Sequence, residues 1–285
     1  MVKKARLTMS TARGVALVRA MEMARPAAER ISSDPHAKAF VSPLDLGGTR
    51  LFSALGVLRL IGVEPMLNFA IVRERYVHDL IVAEAKAGLG QVVILGAGFD
   101  TRAYRIPEIA DLPVFEVDHP VTQAEKQAAL GKVSATLPAG HRFVGVDFET
   151  DDLGLQLSAA GYRDNRRTLF VWQGVSMYLT PEGIDRTLAF VAQHSAKGSV
   201  VVFDYFDAAE MERGGAATIR FFTRMMGERV TFGIAEAEIA AFLEARGFTD
   251  VRNADSAAMA RPYLTGANRG RSMPPGVNIV AARVA

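Results

Sequence analysis

The sequence predicts an α/β fold with a mostly parallel sheet of seven strands, and three observations support this prediction. From residue 92 onward, short apolar runs typical of buried strands alternate with segments that have helical spacing. The first run ends in a glycine turn, Gly96-Ala97-Gly98. The last two runs are joined by a long loop without helical periodicity, so we expect one antiparallel strand in the sheet.

Helical segments precede the first strand. Helical spacing predicts a helix from about Ser10 to Glu29 and a long helix over Asn68–Ala87. Ser33-Asp34-Pro35 is typical of a helix start. The intervening Leu44–Leu60 is loosely apolar and contains several glycines, which indicates loops and a short helix. We expect residues 1–88 to form an N-terminal helical cap.

The remaining residues, 89–285, are predicted to form the α/β core of a single domain. Strands are predicted at 92–95, 113–117, 141–146, 168–173, 199–204, 248–252 and 277–283. Helices are predicted around 121–131, 151–160, 181–195, 209–226 and 235–246. We expect an insertion at about 206–233, after the fifth strand, to form a lid.

The composition is that of an ordinary globular protein. The chain has 285 residues, of which 49% are hydrophobic, and its net charge of +2 does not imply nucleic-acid or membrane binding. It contains no cysteine, which excludes disulfides, thiolate metal sites and a cysteine nucleophile. No apolar run approaches 18 residues, and the N-terminus lacks the apolar run of a signal peptide. We therefore expect a cytoplasmic protein with no nucleic-acid or membrane partner.

The turn Gly96-Ala97-Gly98 predicts a nucleotide site at the carboxyl end of the first strand. Glycine has no Cβ, so a ligand and the backbone can approach each other closely. The next strand ends in Glu116 and Asp118, an acidic end at the spacing that holds a ribose. We expect the two acids to point to opposite faces of this strand, so that only one of them can face the ligand. Asp118 lies closer to the carboxyl end of the strand, which favours Asp118 for the ribose hydroxyls and leaves Glu116 facing a helix.

Other strand ends carry further candidates. Asp147 and Phe148 follow the third strand and suit an adenine, although an acid there also suits a helix N-cap. Gln173 ends the fourth strand, beside the switch point where the reacting group of a cofactor would lie. Arg73 and Arg19 lie on predicted helices and are candidates for bidentate binding of a cofactor carboxylate.

Several site classes are not indicated. The third glycine of the dinucleotide fingerprint would fall at position 101, which is Thr, and this counts against NAD. The five histidines are scattered without a metal-binding pattern, so we expect no metal site. The sequence contains neither a GxSxG nucleophile elbow nor a phosphate-binding glycine-lysine loop.

Four segments carry a resemblance to a known family: LGAGFDTRAYRI (Leu95–Ile106), FEVDHP (Phe115–Pro120), RERYVHDL (Arg73–Leu80) and VWQGVSMYL (Val171–Leu179). With them the chain resembles the leucine carboxyl methyltransferase family, and most closely its bacterial S-adenosylmethionine-dependent branch, which includes polyketide O-methyltransferases of secondary metabolism. The resemblance implies a class I methyltransferase, Rossmann-like fold and S-adenosylmethionine as cofactor.

The resemblance also implies roles for individual residues. Arg73 and Arg19 would bind the methionine carboxylate of the cofactor, and Gln173 would face its aminoacyl part. The family usually has Glu at this position, so Gln173 removes a charge near the sulfonium and ammonium groups. The remaining implied cofactor residues are Gly96, Ala97, Gly98, Asp118, His119, Asp147 and Phe148.

The methyl acceptor is predicted to be a small-molecule carboxylate, which would give a methyl ester. A carboxylate is already ionised at neutral pH and needs no general base. A phenol or alcohol would need a base, for which His119 and Tyr178 are the candidates. Acceptor contacts are predicted at Tyr205, Arg220, Phe221 and Arg224, where core packing with solvated arginines is an equal alternative.

Three other functions stay open at this point. A peptide C-terminal carboxylate is the nearest competing acceptor. A nicotinamide oxidoreductase is disfavoured by Thr101 and by the predicted antiparallel strand. A non-catalytic cofactor-binding protein is kept open by Gln173.

Overall fold

Seven strands form a single sheet in the computed structural model, which describes residues 11–132, 136–148, 150–212, 219 and 230–285. The strands are β1 (Gln91–Leu95), β2 (Val114–Asp118), β3 (His141–Gly145), β4 (Thr168–Trp172), β5 (Val200–Phe206), β6 (Phe248–Ala254) and β7 (Val277–Val284). Their order across the sheet is β3-β2-β1-β4-β5-β7-β6. The first five strands are parallel, and β7 runs antiparallel to both β5 and β6. The predicted mostly parallel sheet with one antiparallel strand is therefore confirmed.

Helices lie on both faces of this sheet and ahead of it in the chain. Among the described residues they are α1 (Thr11–Glu22), α2 (Pro43–Ala54), α3 (Val57–Leu60), α4 (Glu64–Lys86), α5 (Arg102–Arg105), α6 (Pro120–Lys132), α7 (Leu153–Ala159), α8 (Pro181–Gln193), α9 (Ala208–Glu212), α10 (Ile239–Glu244) and α11 (Ser256–Ala260). None of the described helices is long and apolar enough to cross a membrane.

The continuous apolar run of β1 follows from burial on both faces of the sheet. Val92 and Ile94 pack into the cluster that includes α4, whereas Val93 and Leu95 pack into the cluster on the opposite face. Each of these four side chains is at most 2% exposed. Burial on both faces fixes where β1 ends within the sheet, and with it the position of the glycine turn.

The main differences from the predicted elements lie outside the sheet. The first helix ends at Glu22 rather than near Glu29. Ser33-Asp34-Pro35 starts no α-helix, since a turn and a single 3₁₀ turn at Ala37–Phe40 follow it. Leu44–Leu60 was predicted as loops and a short helix, but it forms α2 and α3. The long loop before β7 contains α11, whose first turn is capped by the Asp255 carboxylate.

The N-terminal helices are held to the core from the C-terminal side. Arg271, in the segment before β7, donates to both carboxylate oxygens of Glu22 in α1 at 3.1 Å. It also donates to the side chain of Asn68 in α4 at 2.8 Å. One guanidinium therefore ties α1 to α4, the two helices that lie over the carboxyl edge of the sheet.

Candidate active site

A cavity of about 380 Å³ lies at the carboxyl ends of β1, β2 and β4, between the sheet and helices α1 and α4. Its volume falls within the range of small-molecule sites. The predicted site residues that line it are Arg19, Arg73, Gly96, Ala97, Gly98, Asp118, His119, Phe148, Gln173 and Tyr178. Residues distant in the sequence are thus brought together at one place.

Other predicted site residues are placed elsewhere. Asp147 does not line the cavity; its Oδ2 lies 3.9 Å from His119 Nε2, and its backbone carbonyl accepts from Asp151 N in the turn before α7. Tyr205 is fully buried in the core, where its hydroxyl donates to Asn253 at 3.0 Å. Its neighbour Phe206 lines the cavity instead. Arg220, Phe221 and Arg224 lie outside the described residues, as does most of the predicted lid.

The turn after β1 requires glycine at two positions. Gly96 has a φ of +64°, and a Cβ there would lie 2.4 Å from Val175 Cγ2. Gly98 has a φ of +46°, and a Cβ there would lie 3.2 Å from Ala12 Cβ in α1. Both φ values lie in the left-handed region that favours glycine. The turn therefore exposes its backbone to the cavity while α1 and the segment after β4 pack against it.

Asp118 joins this turn to β2. Its carboxylate accepts from the backbone N–H of Gly98 and from the backbone N–H of His119, the latter at 2.6 Å. Burial raises the pKa of Asp118, and the two backbone hydrogen bonds oppose that rise. Two carboxylate oxygens offer about four acceptor sites, so capacity for ligand hydroxyls remains.

Glu116 lies two residues before Asp118 and therefore on the same face of β2, so the expectation that the two acids point to opposite faces is wrong. It is 1% exposed, its Oε2 accepts from Lys126 Nζ at 2.5 Å, and His141 Nε2 lies 3.4 Å from Oε1. This buried ion pair fastens α6 to the sheet. Of the two acids in the strand, Asp118 is the one that lines the cavity.

A buried guanidinium, that of Arg102, connects three walls of the cavity. Arg102 is 1% exposed and donates to Asp100 in the loop after the glycine turn. It also donates to Glu74 of α4 and, at 2.6 Å, to the side-chain oxygen of Gln173 at the end of β4. Arg105 makes a second ion pair with Glu74. The Gln173 side chain is thus oriented by a charge-assisted hydrogen bond.

These arginines keep two acids of the cavity wall ionised. Burial alone would raise the pKa of Glu74, but Arg102 and Arg105 outweigh it and hold that pKa below its ordinary value. Burial likewise opposes ionisation of Asp100, yet Arg102 and Arg19 lower its pKa to about 2. At neutral pH neither carboxylate is a useful proton acceptor.

The two arginines predicted to hold a carboxylate already have partners inside the protein. Arg73 pairs with the buried Asp204 of β5, whose other oxygen accepts from Gly174 N at 2.6 Å. Arg19 lies 3.0 Å from the Asp34 carboxylate and donates to the carbonyl of Phe99. The Nε of Arg73 is buried and makes no hydrogen bond to any described residue.

Sequence reasoning missed the charged residues behind this wall, namely Glu74, Asp100, Arg102 and Asp204. Each is nearly or fully buried. The available signal was a pair of charged tripeptides, Arg73-Glu74-Arg75 and Asp100-Thr101-Arg102, next to segments that are otherwise apolar. Charges in such a setting are buried only when paired.

Comparison with known proteins identifies the family. Residues 12–192 match the family model of leucine carboxyl methyltransferase. A protein of Mycolicibacterium smegmatis described as an S-adenosyl-L-methionine-dependent methyltransferase is 34% identical over 224 residues, 76% of this chain and 74% of its own. The chain belongs to the leucine carboxyl methyltransferase family. A Rhodococcus jostii protein with the same description is 31% identical over 270 residues, 93% of this chain and 88% of its own.

The fold agrees with this assignment. The apo structure of the S-adenosylmethionine-dependent methyltransferase SibL superposes with a TM-score of 0.51 and 15% sequence identity. The superposition covers 77% of this chain and 58% of the other, so the chain spans little more than half of that structure. The predicted class I methyltransferase fold is confirmed, and the protein is an S-adenosylmethionine-dependent methyltransferase.

The cavity has features that fit this cofactor. It offers a turn whose glycines leave no side chain in the way, a carboxylate at the end of β2, and the free Nε of Arg73 for a negative group. The predicted aromatic partner, Phe148, lines the same space. When bound, the cofactor supplies a methyl group on a positively charged sulfur.

Proposed function

We propose that this methyltransferase transfers the methyl group to a carboxylate oxygen of a small molecule, giving a methyl ester and S-adenosylhomocysteine. The observation that carries the proposal is the charge state of the cavity wall. Glu74 and Asp100 both line the cavity, and arginines hold both of them ionised. Because neither carboxylate is a useful base, the cavity suits an acceptor from which no proton has to be removed.

The alternative acceptors differ in whether a proton has to be removed from them during methyl transfer. A phenol or an alcohol loses its proton as the methyl group arrives, and a base with a pKa near the working pH assists that loss. A carboxylic acid, with a pKa of about 4, has already lost its proton at neutral pH. The lowered pKa values of Glu74 and Asp100 therefore favour the carboxylate.

Two candidate bases for the hydroxyl alternative line the cavity, His119 and Tyr178. His119 follows Asp118 directly and is exposed, and its Nδ1 accepts from Val121 N at 3.2 Å. A base in that position would serve an acceptor near the end of β2. Because Asp118 is the proposed ribose ligand, this end of the cavity is proposed to hold the nucleoside rather than the acceptor.

We assign the cofactor contacts as follows. Asp118 accepts from the ribose hydroxyls, the turn Gly96–Gly98 passes beside the ribose and methionine, and Phe148 packs on the adenine. Arg73 binds the methionine carboxylate through its free Nε, with Arg19 as a second cation. Gln173, oriented by Arg102, faces the aminoacyl part as a neutral hydrogen-bonding group.

The acceptor is proposed to lie against the apolar part of the cavity. Val18 from α1, Met66 and Phe69 from α4, and Met177 and Phe206 from the strand ends line that part. Such a wall excludes water and suits an acid with an apolar body. In-line displacement at the methyl group needs orientation above all, and these side chains would provide it.

The chemistry of the product tests the proposal directly. The enzyme is incubated with methyl-labelled S-adenosylmethionine and a panel of aryl and alkyl carboxylic acids, phenols, alcohols and peptides with free C-termini. A methyl ester releases labelled methanol in mild alkali, whereas an ether or an N-methyl product does not. We expect an alkali-labile product from a small acid; an alkali-stable product, or a product from the peptides alone, would overturn the proposal.

The pH dependence gives an independent readout. For a carboxylate acceptor we expect kcat/KM to stay level from about pH 6 to pH 9, because the acceptor ionises near pH 4. A hydroxyl acceptor would give a rate that rises with pH until its base is deprotonated. Binding of the cofactor without turnover of any acceptor would instead favour a non-catalytic role.

A further inference from the structure

The exposed apolar side chains of this protein are concentrated on one helical hairpin. Of the eight large apolar residues that are exposed among the described residues, six lie between residues 44 and 61. We call this surface the α2–α3 face; it consists of Leu44, Leu51, Phe52, Leu55, Leu60 and Ile61, which are 48–87% exposed. Contiguous apolar surface of this kind marks an interaction site more often than chance exposure.

The hairpin is weakly anchored within its own chain. In α2 only Leu46 is buried, and it packs on Leu17 and Ala20 of α1. None of the four residues of α3 is buried. Helices of this length are marginal in water and take most of their stability from packing of an apolar face. The α2–α3 face therefore lacks within the described residues the packing that its apolar composition calls for.

We propose that the α2–α3 face is the dimer interface of this protein and packs on the same face of a second copy. Taking about 150 Å² for each large side chain, the low end of the area that an aromatic one buries, the exposed fractions of the six leave roughly 600 Å² of surface in water. A standard stable interface buries about 800 Å² per partner. The six side chains therefore supply about three quarters of the area that each copy of a two-fold dimer buries, and the polar residues around them can supply the rest.

The face is also complementary to itself in shape. Leu44, Gly48, Leu51 and Leu55 follow one another at helical spacing and form a single stripe along α2. A Cβ at Gly48 would meet nothing within 4 Å, so the stripe has an open notch between its leucines. Antiparallel pairing about a two-fold axis places Leu51 of each copy opposite Gly48 of the other, and Leu44 opposite Leu55. A two-fold interface needs this kind of match of a patch with itself.

The charges around the face favour a protein partner over a lipid surface. Residues 43–64 carry two acids, Asp45 and Glu64, and two bases, Arg50 and Arg59. Helices that lie on anionic membranes carry a clear excess of Lys and Arg on their polar side. A balanced rim adds no attraction to anionic lipid and no repulsion between two copies.

The position of the hairpin gives the dimer a consequence for the active site. The chain enters α2 from the side of α1 and leaves α3 directly into α4. Arg19 of α1 and Arg73 of α4 both line the cavity. Packing of two copies through α2 and α3 would therefore restrain the segment that connects α1 with α4, the two helices that carry these arginines.

The oligomeric state tests the proposal. Sedimentation velocity over a hundredfold range of concentration is expected to give twice the chain mass of 30.8 kDa for the unaltered protein. The double variant Leu51→Glu/Leu55→Glu is expected to sediment as a monomer. The matched control is Leu155→Glu on α7, a leucine 69% exposed outside the face, which should remain dimeric. A monomeric unaltered protein, or a double variant that stays dimeric, would overturn the proposal.

If the double variant fails to fold, a second variant still tests the proposal. Gly48→Leu fills the notch at a helical position with open space around it, so it is expected to keep the fold and to weaken the dimer at least tenfold. Two further outcomes count against the dimer. One is a monomer that sediments with vesicles of phosphatidylcholine and phosphatidylglycerol. The other is a monomer whose melting temperature falls sharply in the double variant, which would mean that this chain covers the face itself.

Discussion

The side chain of Asp118 is predicted to carry much of the cofactor affinity, and Asp118→Ala removes it. The carboxylate already accepts from the backbone of Gly98 and His119, which holds it in place at the end of β2. In the proposed complex its remaining lone pairs accept from the ribose hydroxyls. The substitution therefore removes an acceptor that is positioned before the ligand arrives.

The size of the effect follows from the kind of hydrogen bond that is lost. Hydrogen bonds to a charged group contribute about 1.5–3 kcal/mol, and a carboxylate that binds both hydroxyls of a ribose lies in the upper part of that range, at about 2–3 kcal/mol. This corresponds to a loss of affinity of about 30–150-fold. Calorimetric titration with S-adenosylhomocysteine measures it without any need for an acceptor.

Glu116→Gln is the matched control, because Glu116 lies two residues away on the same strand but pairs with Lys126 of α6 and does not line the cavity. It leaves Lys126 buried beside a neutral partner, since both residues are 1% exposed. Breaking such a pair destabilises a protein by about 3–5 kcal/mol. We expect this variant to lose stability in denaturant unfolding but to keep its cofactor affinity while folded. An unchanged affinity in Asp118→Ala, or a loss in Glu116→Gln alone, would refute the assignment of the ribose ligand.

Three other predictions follow from the same wall of the cavity. Arg102→Met leaves buried carboxylates without their main partner and should lower the free energy of unfolding by about 3–5 kcal/mol, whereas Arg186→Met, at an exposed position on α8 outside the α2–α3 face, should change it by less than about 0.5 kcal/mol; equal effects would contradict this. On acidification, cofactor affinity should fall as pH drops through the raised pKa of Asp118, whereas the stability from Asp100 is present above about pH 4 and is lost only towards its pKa of about 2. Calorimetry and circular dichroism should thus show loss of binding before loss of fold, and the reverse order would contradict the account. Gly96→Ala should weaken cofactor binding, because its Cβ meets the side chain of Val175; partial rescue by Val175→Ala would confirm the cause, and normal binding by the single variant would contradict it.

Elements buried by the sheet were predictable from sequence because burial leaves a simple pattern. The strand β1 is an apolar run because both of its faces are covered, and its predicted and observed carboxyl ends agree at Leu95. Asp118 rather than Glu116 lines the cavity because it lies nearer the carboxyl end of β2; alternation does not separate the two acids, since residues two apart in a strand share a face. The same rule places Tyr205 and Phe206 on opposite faces of β5, yet Tyr205 was predicted to contact the acceptor and lies in the core.

The charged network behind the cavity was not predictable, because its partners are far apart in the chain. Arg102 bonds to Glu74 and Gln173, which are 28 and 71 residues away. No local periodicity relates such residues, and only the fold brings them together. The hairpin of α2 and α3 was predicted only as loops and a short helix, for a different reason. Its leucines face water rather than a core, so the contrast that marks an amphipathic helix is weak.

The most direct test of the account is calorimetric titration of the unaltered protein with S-adenosylmethionine, S-adenosylhomocysteine and NAD. The cavity between α1, α4 and the ends of β1 and β2 is predicted to bind the first two with micromolar affinity and NAD not at all. Binding of NAD in preference to both, or of none of the three, would contradict the assignment of this cavity as the cofactor site.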